Sequence, residues 1–233
     1  MLNLKAYERV LTFFAHPDDE TLAAGATIAK LTSLGGIVHV AIPATGVHSR
    51  RNNQGEKKRD SDLEELQEDC KKAMSVLGVL PGNIYLGDFP DNEMDKVSRL
   101  EAIHWLEAII QKVNPQLILT HHRYCTNIDH QYCHEAVVIA TRPGLHDHVT
   151  VLCAEVPSST GYLKPAQWEP NCYIEVTEKN VEAKIKAMET YNGEARPDPH
   201  PRSGEVLRAL AKVRGSEAGF YYAESFMIQK IFG

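Results

Sequence analysis

The sequence lacks the marks of an exported or membrane-embedded protein. Its five cysteines include no C-x-x-C pair, and their odd number suits reduced thiols better than a disulfide framework. No apolar run reaches the roughly 18 residues of a membrane span. The first eight residues have neither the basic start nor the apolar centre of a secretory signal. We therefore expect a cytoplasmic protein.

Positive charge is also in short supply. The chain has 25 Lys and Arg residues against 31 Asp and Glu residues, a formal net charge of -6. Phosphate backbones and acidic lipids do not attract a net-negative surface. We expect a small-molecule substrate, no nucleic-acid partner and no membrane span in this chain, and allow for a homo-oligomer. Because the sequence contains no repeat, low-complexity tract or clear linker, residues 1–233 are interpreted as one domain.

Apolar runs and amphipathic segments alternate along the chain, which predicts an α/β fold. The G-x-G-x-x-G turn of dinucleotide-binding folds is missing after the first strand. We predict a Rossmann-like three-layer α/β/α sandwich with a mostly parallel sheet. The predicted strands cover 9–14, 37–42, 83–86, 117–120, 150–153 and 173–176. The predicted helices cover 19–31, 63–77, 97–113, 135–141 and segments around 181–188 and 206–213, the last two ending at Gly193 and Gly215.

Two polar turns follow predicted strands. His16-Pro17-Asp18-Asp19-Glu20 comes after the first strand, and a histidine-rich stretch from His121 to His130 comes after the fourth. In an open parallel sheet, ligands bind outside the carboxyl ends of the strands. We therefore expect both turns at one edge of the sheet.

The residue types in these turns suit a catalytic metal. Zinc takes three ligands from His, Asp and Glu and leaves a position for water, and ferrous iron accepts the same donors. His16 and Asp19 can supply two ligands, and a histidine from the second turn the third. Asp18 then lies close enough to accept a proton from water. Alternatively, Asp18 and Asp19 only cap a helix, and spacing alone leaves both interpretations open.

The stretch Ala15-His16-Pro17-Asp18-Asp19-Glu20, with Asn127-Ile128-Asp129-His130, resembles the LmbE/PIG-L family of zinc-dependent N-deacetylases. The resemblance implies that His16, Asp19 and His130 bind Zn²⁺ and that Asp18 is the general base. It implies a hydrolase that removes acetyl from an N-acetylglucosamine-type sugar derivative. The family commonly has a histidine where Asn127 stands, and that histidine is usually assigned to stabilising the oxyanion.

Other residues are weaker candidates. The resemblance places Arg50 in a substrate-facing loop, and His200 and Arg202 lie in a proline-stiffened loop suited to lining a substrate. Asn127 is a candidate hydrogen-bond donor to the substrate. Asp91 is a candidate hydrogen-bond partner of a sugar hydroxyl. Glu20 and Asp129 are interpreted as residues that orient the metal ligands, and His134 as a residue near the site. His121 or His122 is an alternative to His130 as the metal ligand. Cys125 and Cys133 are interpreted as packing residues.

Alternative functions remain open at this stage. One is a metal-dependent hydrolase of another amide or of a phosphoester. The other is a non-catalytic Rossmann-type module that binds a sugar or nucleotide.

Overall fold

A computed structural model describes residues 3–45, 60–144, 146 and 148–232. Within these residues the chain forms seven strands and six α-helices. The strands are β1 (Arg9–Phe13), β2 (Ile37–Ile42), β3 (Ile84–Leu86), β4 (Leu117–His121), β5 (Thr150–Ala154), β6 (Cys172–Val176) and β7 (Tyr222–Lys230). The helices are α1 (Asp19–Ser33), α2 (Asp60–Val76), α3 (Arg99–Val113), α4 (Ile128–Ala140), α5 (Glu178–Glu189) and α6 (Gly204–Ala218). None of these helices combines the length and apolar character needed to cross a bilayer.

The strands form one sheet in the order β3-β2-β1-β4-β5-β7-β6. The first five strands in this order run parallel, whereas β7 pairs antiparallel with both β5 and β6. Strands β1 and β4 lie side by side. From β1 the chain first adds β2 and β3 on one side, and it then adds β4 and β5 on the other side. In doubly wound sheets a crevice forms outside the carboxyl ends at this point.

Alternate residues of the central strands face two different apolar cores. Val10 and Leu119 belong to the core under α1, α2, α5 and α6, whereas Leu11 and Ile118 belong to the core under α3 and α4. This near-continuous apolar sequence is typical of parallel strands covered on both faces. The predicted α/β/α sandwich with a mostly parallel sheet is confirmed.

Three helix ends lie well away from their predicted positions. Helix α5 ends at Glu189, before the predicted end at Gly193. Helix α4 begins at Ile128 instead of Glu135, because the Asn127 side chain accepts the Asp129 N–H at 2.8 Å and caps the helix. The last helix passes through Gly215 and ends before Gly219, whose φ is +79°. A Cβ at Gly215 would lie 2.8 Å from the backbone of Phe220 and Tyr222. Gly215 therefore permits close packing inside the helix and does not end it.

Strand β7, which no predicted strand covered, supplies a support for α1. Helix α1 is interrupted at Ala24, where φ is -142° and ψ is 15°. The carboxylate of Glu224 on β7 accepts the N–H groups of Ala26 and Thr27 at 3.2 and 2.7 Å. Glu224 thus acts as a distant cap for the second half of α1.

Lys184 of α5 neutralises this buried carboxylate, with Nζ 2.6 Å from Glu224 Oε1. Gly25 leaves room for the lysine, since a Cβ there would lie 2.9 Å from Lys184 Cγ. Three elements thus meet where α1 bends, and the buried pair joins them.

We expect Glu224→Gln to lower the free energy of unfolding by about 3 kcal/mol, because the substitution leaves the buried Lys184 ammonium without its counter-charge. Denaturant unfolding measures this change. The control is Glu93→Gln, which removes the exposed pair with Lys96 and should change the value by less than about 1 kcal/mol. Equal effects of the two substitutions would contradict the role given to Glu224.

Candidate active site at the carboxyl edge of the sheet

The first turn folds back on itself directly after β1. The His16 N–H donates to Asp19 Oδ2 at 3.1 Å, and His16 Nδ1 lies 3.0 Å from the same oxygen. Both residues are buried. The sequence H-P-D-D therefore places an imidazole and a carboxylate side by side at the start of α1.

The second turn meets the first because β4 lies next to β1. His130, in the first turn of α4, places Nε2 3.0 Å from Asp19 Oδ2. The donor atoms of His16, Asp19 and His130 all lie within 4.8 Å of one another. The structure thus brings together the three residues that the sequence predicts as metal ligands.

His121, the strand residue considered as an alternative ligand, has a different place. Its Nε2 accepts the N–H of Ala15 at 2.8 Å, so this lone pair is already used. Its ring stacks on His130 with centroids 3.8 Å apart and an interplanar angle of 15°. Burial and the nearby His130 hold the pKa of His121 well below its usual value. His121 is therefore a neutral imidazole that stacks on the ring of His130.

His16 is oriented from its other edge. Nε2 lies 2.9 Å from Asp129 Oδ2 and 3.1 Å from Asp91 Oδ1. Asp129 is itself fixed by the N–H groups of Asn92 and Met94, at 2.6 and 3.0 Å. A carboxylate that accepts a hydrogen bond from one ring N–H keeps the proton on that nitrogen and leaves the other nitrogen's lone pair available to a metal. This geometry accords with the orienting role expected for Asp129.

The electrostatics of the site couple the charge of Asp19 to the two imidazoles beside it. Burial alone would lower the pKa of His16, but hydrogen bonds to Asp129 and Asp19 raise it to about 10. Burial likewise opposes the charge on His130, yet Asp19 raises its pKa to about 9. Burial would raise the pKa of Asp19, but His130 and His16 hold it well below its usual range. The buried carboxylate is thus stabilised by positive charge on both sides.

The donor set fits zinc. Tetrahedral ligands at zinc bond lengths of about 2.0–2.1 Å lie roughly 3.3 Å apart. Asp19 Oδ2 is 3.0 Å from both His16 Nδ1 and His130 Nε2. Two imidazoles and one carboxylate leave a fourth position for water. His16, Asp91 and Asp129 form a second group of metal-ligand type. Because Asp129 already accepts two backbone N–H groups and faces His16 Nε2, we interpret this group as the hydrogen-bonded support of His16.

Asp18, the predicted general base, lies in an unusual backbone conformation with φ at +112°. A non-glycine residue in such a conformation costs on the order of 1–3 kcal/mol. The Asp18 N–H donates to Glu20 Oε2 at 3.2 Å, while Arg202 Nη1 donates to Asp18 Oδ2 at 2.7 Å. The same Nη1 donates to Glu194 Oε2 at 2.7 Å. The surroundings thus hold both the backbone and the carboxylate of Asp18.

Glu20, predicted to orient the ligands, supports Asp18 instead. Its Oε1 accepts the hydroxyls of Tyr191 at 2.5 Å and Thr21 at 2.8 Å. Burial raises the pKa of Glu20, and these two hydrogen bonds oppose the shift. Tyr191, at the end of the α5 region, thereby reaches the polar turn from the far side of α1.

The remaining predicted residues have distinct places. Arg50 lies outside the described residues. Asn127 caps α4 and donates from Nδ2 to Asn92 Oδ1 at 2.6 Å. His200 is exposed and its Nδ1 accepts the Arg202 N–H at 3.1 Å. His134 is buried, with Nδ1 3.0 Å from the carbonyl oxygen of His121.

Sequence reasoning missed three contacts at the site. From the sequence, Tyr191 and Glu194 have no assigned role, and Cys125 is interpreted as a packing residue. Tyr191 and Glu194 lie more than 170 residues from the turn they support, so no local pattern marks them. Cys125 lies five residues before His130, where a check for partners of the second imidazole nitrogen could have found it.

Fold and site together define an α/β protein with its candidate catalytic groups at the carboxyl edge of a largely parallel sheet. The chain belongs to the PIG-L family: residues 11–141 match the model described as "PIG-L: GlcNAc-PI de-N-acetylase". The protein is accordingly a hydrolase of the amide C–N bond, an N-deacetylase. This confirms the resemblance seen in the sequence.

Two curated relatives are similar to this chain. Diacetylchitobiose deacetylase of Thermococcus kodakarensis is 27% identical over 227 residues, covering 93% of this chain and 81% of the relative. A probable N-acetyl-alpha-D-glucosaminyl L-malate deacetylase 2 of Bacillus cereus is 32% identical over 148 residues, covering 59% and 66%. Among solved structures, N,N'-diacetylchitobiose deacetylase from Pyrococcus horikoshii superposes with a TM-score of 0.76 at 21% identity, covering 97% and 85%. At that identity the superposition shows the fold alone.

We expect Tyr191→Phe to destabilise the protein in a pH-dependent way. Because the pKa of Glu20 is raised in the fold, its contribution to stability is present below the ordinary carboxyl pKa and is lost as pH rises through the raised value. Removing the Tyr191 hydroxyl raises that pKa further. The free energy of unfolding should fall by about 2 kcal/mol at pH 8 and by less at pH 4, as denaturant unfolding at both pH values measures.

Tyr7→Phe is the matched control, since the Tyr7 hydroxyl donates to the neutral Thr150 hydroxyl at 3.3 Å. Its effect should be the same at both pH values. A loss for Tyr191→Phe that does not vary with pH would contradict the role given to the Glu20 carboxylate.

Proposed function

We propose that this protein is a zinc-dependent deacetylase that hydrolyses the acetamide of an N-acetylglucosamine-type sugar derivative. The observation that carries the proposal is the single oxygen of Asp19 held 3.0 Å from both His16 Nδ1 and His130 Nε2, with Asp18 one residue away. The family match and the names of the relatives support the amino-sugar substrate. The products are acetate and a free amino sugar.

His16, Asp19 and His130 hold the metal in this proposal. When bound, zinc lowers the pKa of water toward neutrality and polarises a carbonyl. Asp129 keeps the proton of His16 on Nε2, so that Nδ1 faces the site. His121 stacks on the ring of His130 and stabilises its position. These residues fix the three donors before any ligand arrives, which limits the entropy lost in forming the site.

Asp18 is the general base. Its carboxylate accepts a proton from the water that attacks the acetamide carbonyl, and the carbon becomes tetrahedral. The amine nitrogen must then be protonated before the C–N bond breaks, and we propose that either Asp18 or a second, unassigned acid returns the proton. Arg202 holds the carboxylate at 2.7 Å and keeps it in one orientation during proton transfer.

Arg202 also contacts the proposed base directly. Burial opposes its charge, but the carboxylates of Asp18, Asp19 and Glu194 raise its pKa. The side chain retains 22% of its exposure, so it reaches both the base and the solvent-facing side of the site. We propose that Arg202 contacts the substrate here, together with His200 on the same loop.

Asn127 has a restricted part in this scheme. Its oxygen caps α4, and its amide nitrogen carries one hydrogen beyond that donated to Asn92. We propose that this second hydrogen contacts the substrate. Arg50 remains proposed as a substrate residue from its position in the family pattern. Residues 1–233 are proposed to act as one deacetylase domain.

Asp18→Asn should abolish acetate release while the protein keeps one equivalent of zinc. Asparagine preserves the size of the side chain but cannot accept the proton, and loss of a general base typically lowers the rate by 10²–10⁴-fold. Enzymatic assay of acetate and metal analysis of the same sample measure both effects. His16→Ala, by contrast, should lose metal and activity together.

Asp95→Asn is the matched control, because Asp95 is an exposed carboxylate in the short 3₁₀ turn Met94–Lys96. It should leave both readouts unchanged. Turnover by Asp18→Asn within about tenfold of the unmodified protein would exclude Asp18 as the base.

A screen for acetate release across N-acetylglucosamine derivatives tests the substrate class. The set should include free N-acetylglucosamine, its oligosaccharides, and derivatives with an anionic or lipid aglycone, each with and without chelator. We expect release from at least one derivative, its loss with chelator, and recovery with added zinc. Release from none of them would contradict the substrate class, and chelator-resistant release would contradict the metal.

A further inference from the structure

The sulfur of Cys125 lies against one of the proposed metal ligands. Cys125 is fully buried, and its Sγ is 3.1 Å from His130 Nδ1. The opposite ring nitrogen, Nε2, faces Asp19. When Nε2 binds a metal, Nδ1 carries the proton of the neutral ring, and the sulfur is placed to accept it.

Stacking on His121 cannot provide this orientation. The two rings are nearly parallel, with an interplanar angle of 15°. A rotation of His130 by 180° about its Cβ–Cγ bond would keep the ring in the same plane and preserve the stack. It would replace Nε2 by carbon at the edge facing Asp19. The contact between Nδ1 and Cys125 distinguishes the two orientations.

The backbone around Cys125 holds the sulfur in position. Its N–H donates to the His122 carbonyl at 3.2 Å, and its carbonyl accepts Gln131 Nε2 at 2.8 Å. The hydroxyl of Thr160 lies 3.6 Å from Sγ while accepting the N–H of Val156 at 3.0 Å. Because the Thr160 oxygen accepts the Val156 N–H, the hydroxyl hydrogen of Thr160 can point toward the sulfur of Cys125.

We propose that Cys125 is the positioning residue of His130 and sets the affinity of the site for its metal. The inference rests on the proposed function. The two imidazoles are then supported unequally, His16 by the carboxylate of Asp129 and His130 by a weaker sulfur acceptor. Changing the acceptor at position 125 should therefore change metal affinity in a graded way.

The test is the zinc affinity of Cys125→Ala, Cys125→Ser and Cys125→Asp, measured by competition with a chromophoric chelator. Loss of such a ligand-orienting partner typically weakens metal binding by about 10–100-fold, which we expect for Cys125→Ala. Cys125→Ser should recover part of the affinity and Cys125→Asp most or all of it. The visible spectrum of the Co²⁺-loaded protein should change in Cys125→Ala, because the imidazole geometry changes.

Cys133→Ala is the matched control, since Cys133 is equally buried on α4 but packs in the apolar core. It removes the same atoms and should change neither zinc affinity nor the Co²⁺ spectrum. Zinc affinity of Cys125→Ala equal to that of Cys133→Ala would overturn the inference. If Cys125→Ala does not fold, equal affinities of Cys125→Ser and the unmodified protein, with an unchanged spectrum, would also overturn it.

The same measurements separate this inference from the proposed function. An unmodified protein that binds no stoichiometric zinc contradicts the proposed function itself. An unmodified protein that binds zinc, with a Cys125→Ala variant that binds it equally well, contradicts only the role of Cys125.

Discussion

The site depends on one buried carboxylate shared between two imidazoles. Asp19 is almost completely removed from water, and an isolated charge there would be strongly unfavourable. His16 comes from the same turn, but His130 comes from a helix that begins more than a hundred residues later. The carboxylate therefore requires β1 and β4 to be neighbours with their carboxyl ends aligned. Sheet topology and site electrostatics are parts of the same constraint.

Much of this arrangement could be predicted from local sequence. An apolar strand followed by His16-Pro17-Asp18-Asp19 identifies the edge of the sheet and the donor chemistry, and His130 follows from the second polar turn. The start of α4 could not be recognised from apolar periodicity, because its first turn is polar and is defined by the Asn127 cap. The periodicity begins only where the helix becomes apolar, so the predicted start was seven residues late.

Contacts between distant segments explain the other omissions. Glu224 and Lys184 gave no signal of their pairing, since a buried ion pair between β7 and α5 leaves no periodic pattern in either segment. No local sequence pattern marks Tyr191 or Glu194 as part of the site either. Tyr191 acts through Glu20, whereas Glu194 acts through Arg202, which in turn contacts Asp18. The packing of α5 against α1 brings Tyr191 to the first turn. Such partners are a property of the tertiary fold.

These partners divide the chain by task. The matched family region, residues 11–141, contains every proposed metal ligand and the proposed base. Residues beyond it supply side chains that support these groups: Tyr191 contacts Glu20, Arg202 contacts Asp18 and is itself paired with Glu194, and Glu224 caps the second half of α1. Because Asp18 has a strained backbone, its position depends on surrounding contacts, which include Glu20 at its N–H and Arg202 at its carboxylate. A substitution in the C-terminal part of the chain can therefore alter the orientation of the proposed base without altering any residue of the first motif.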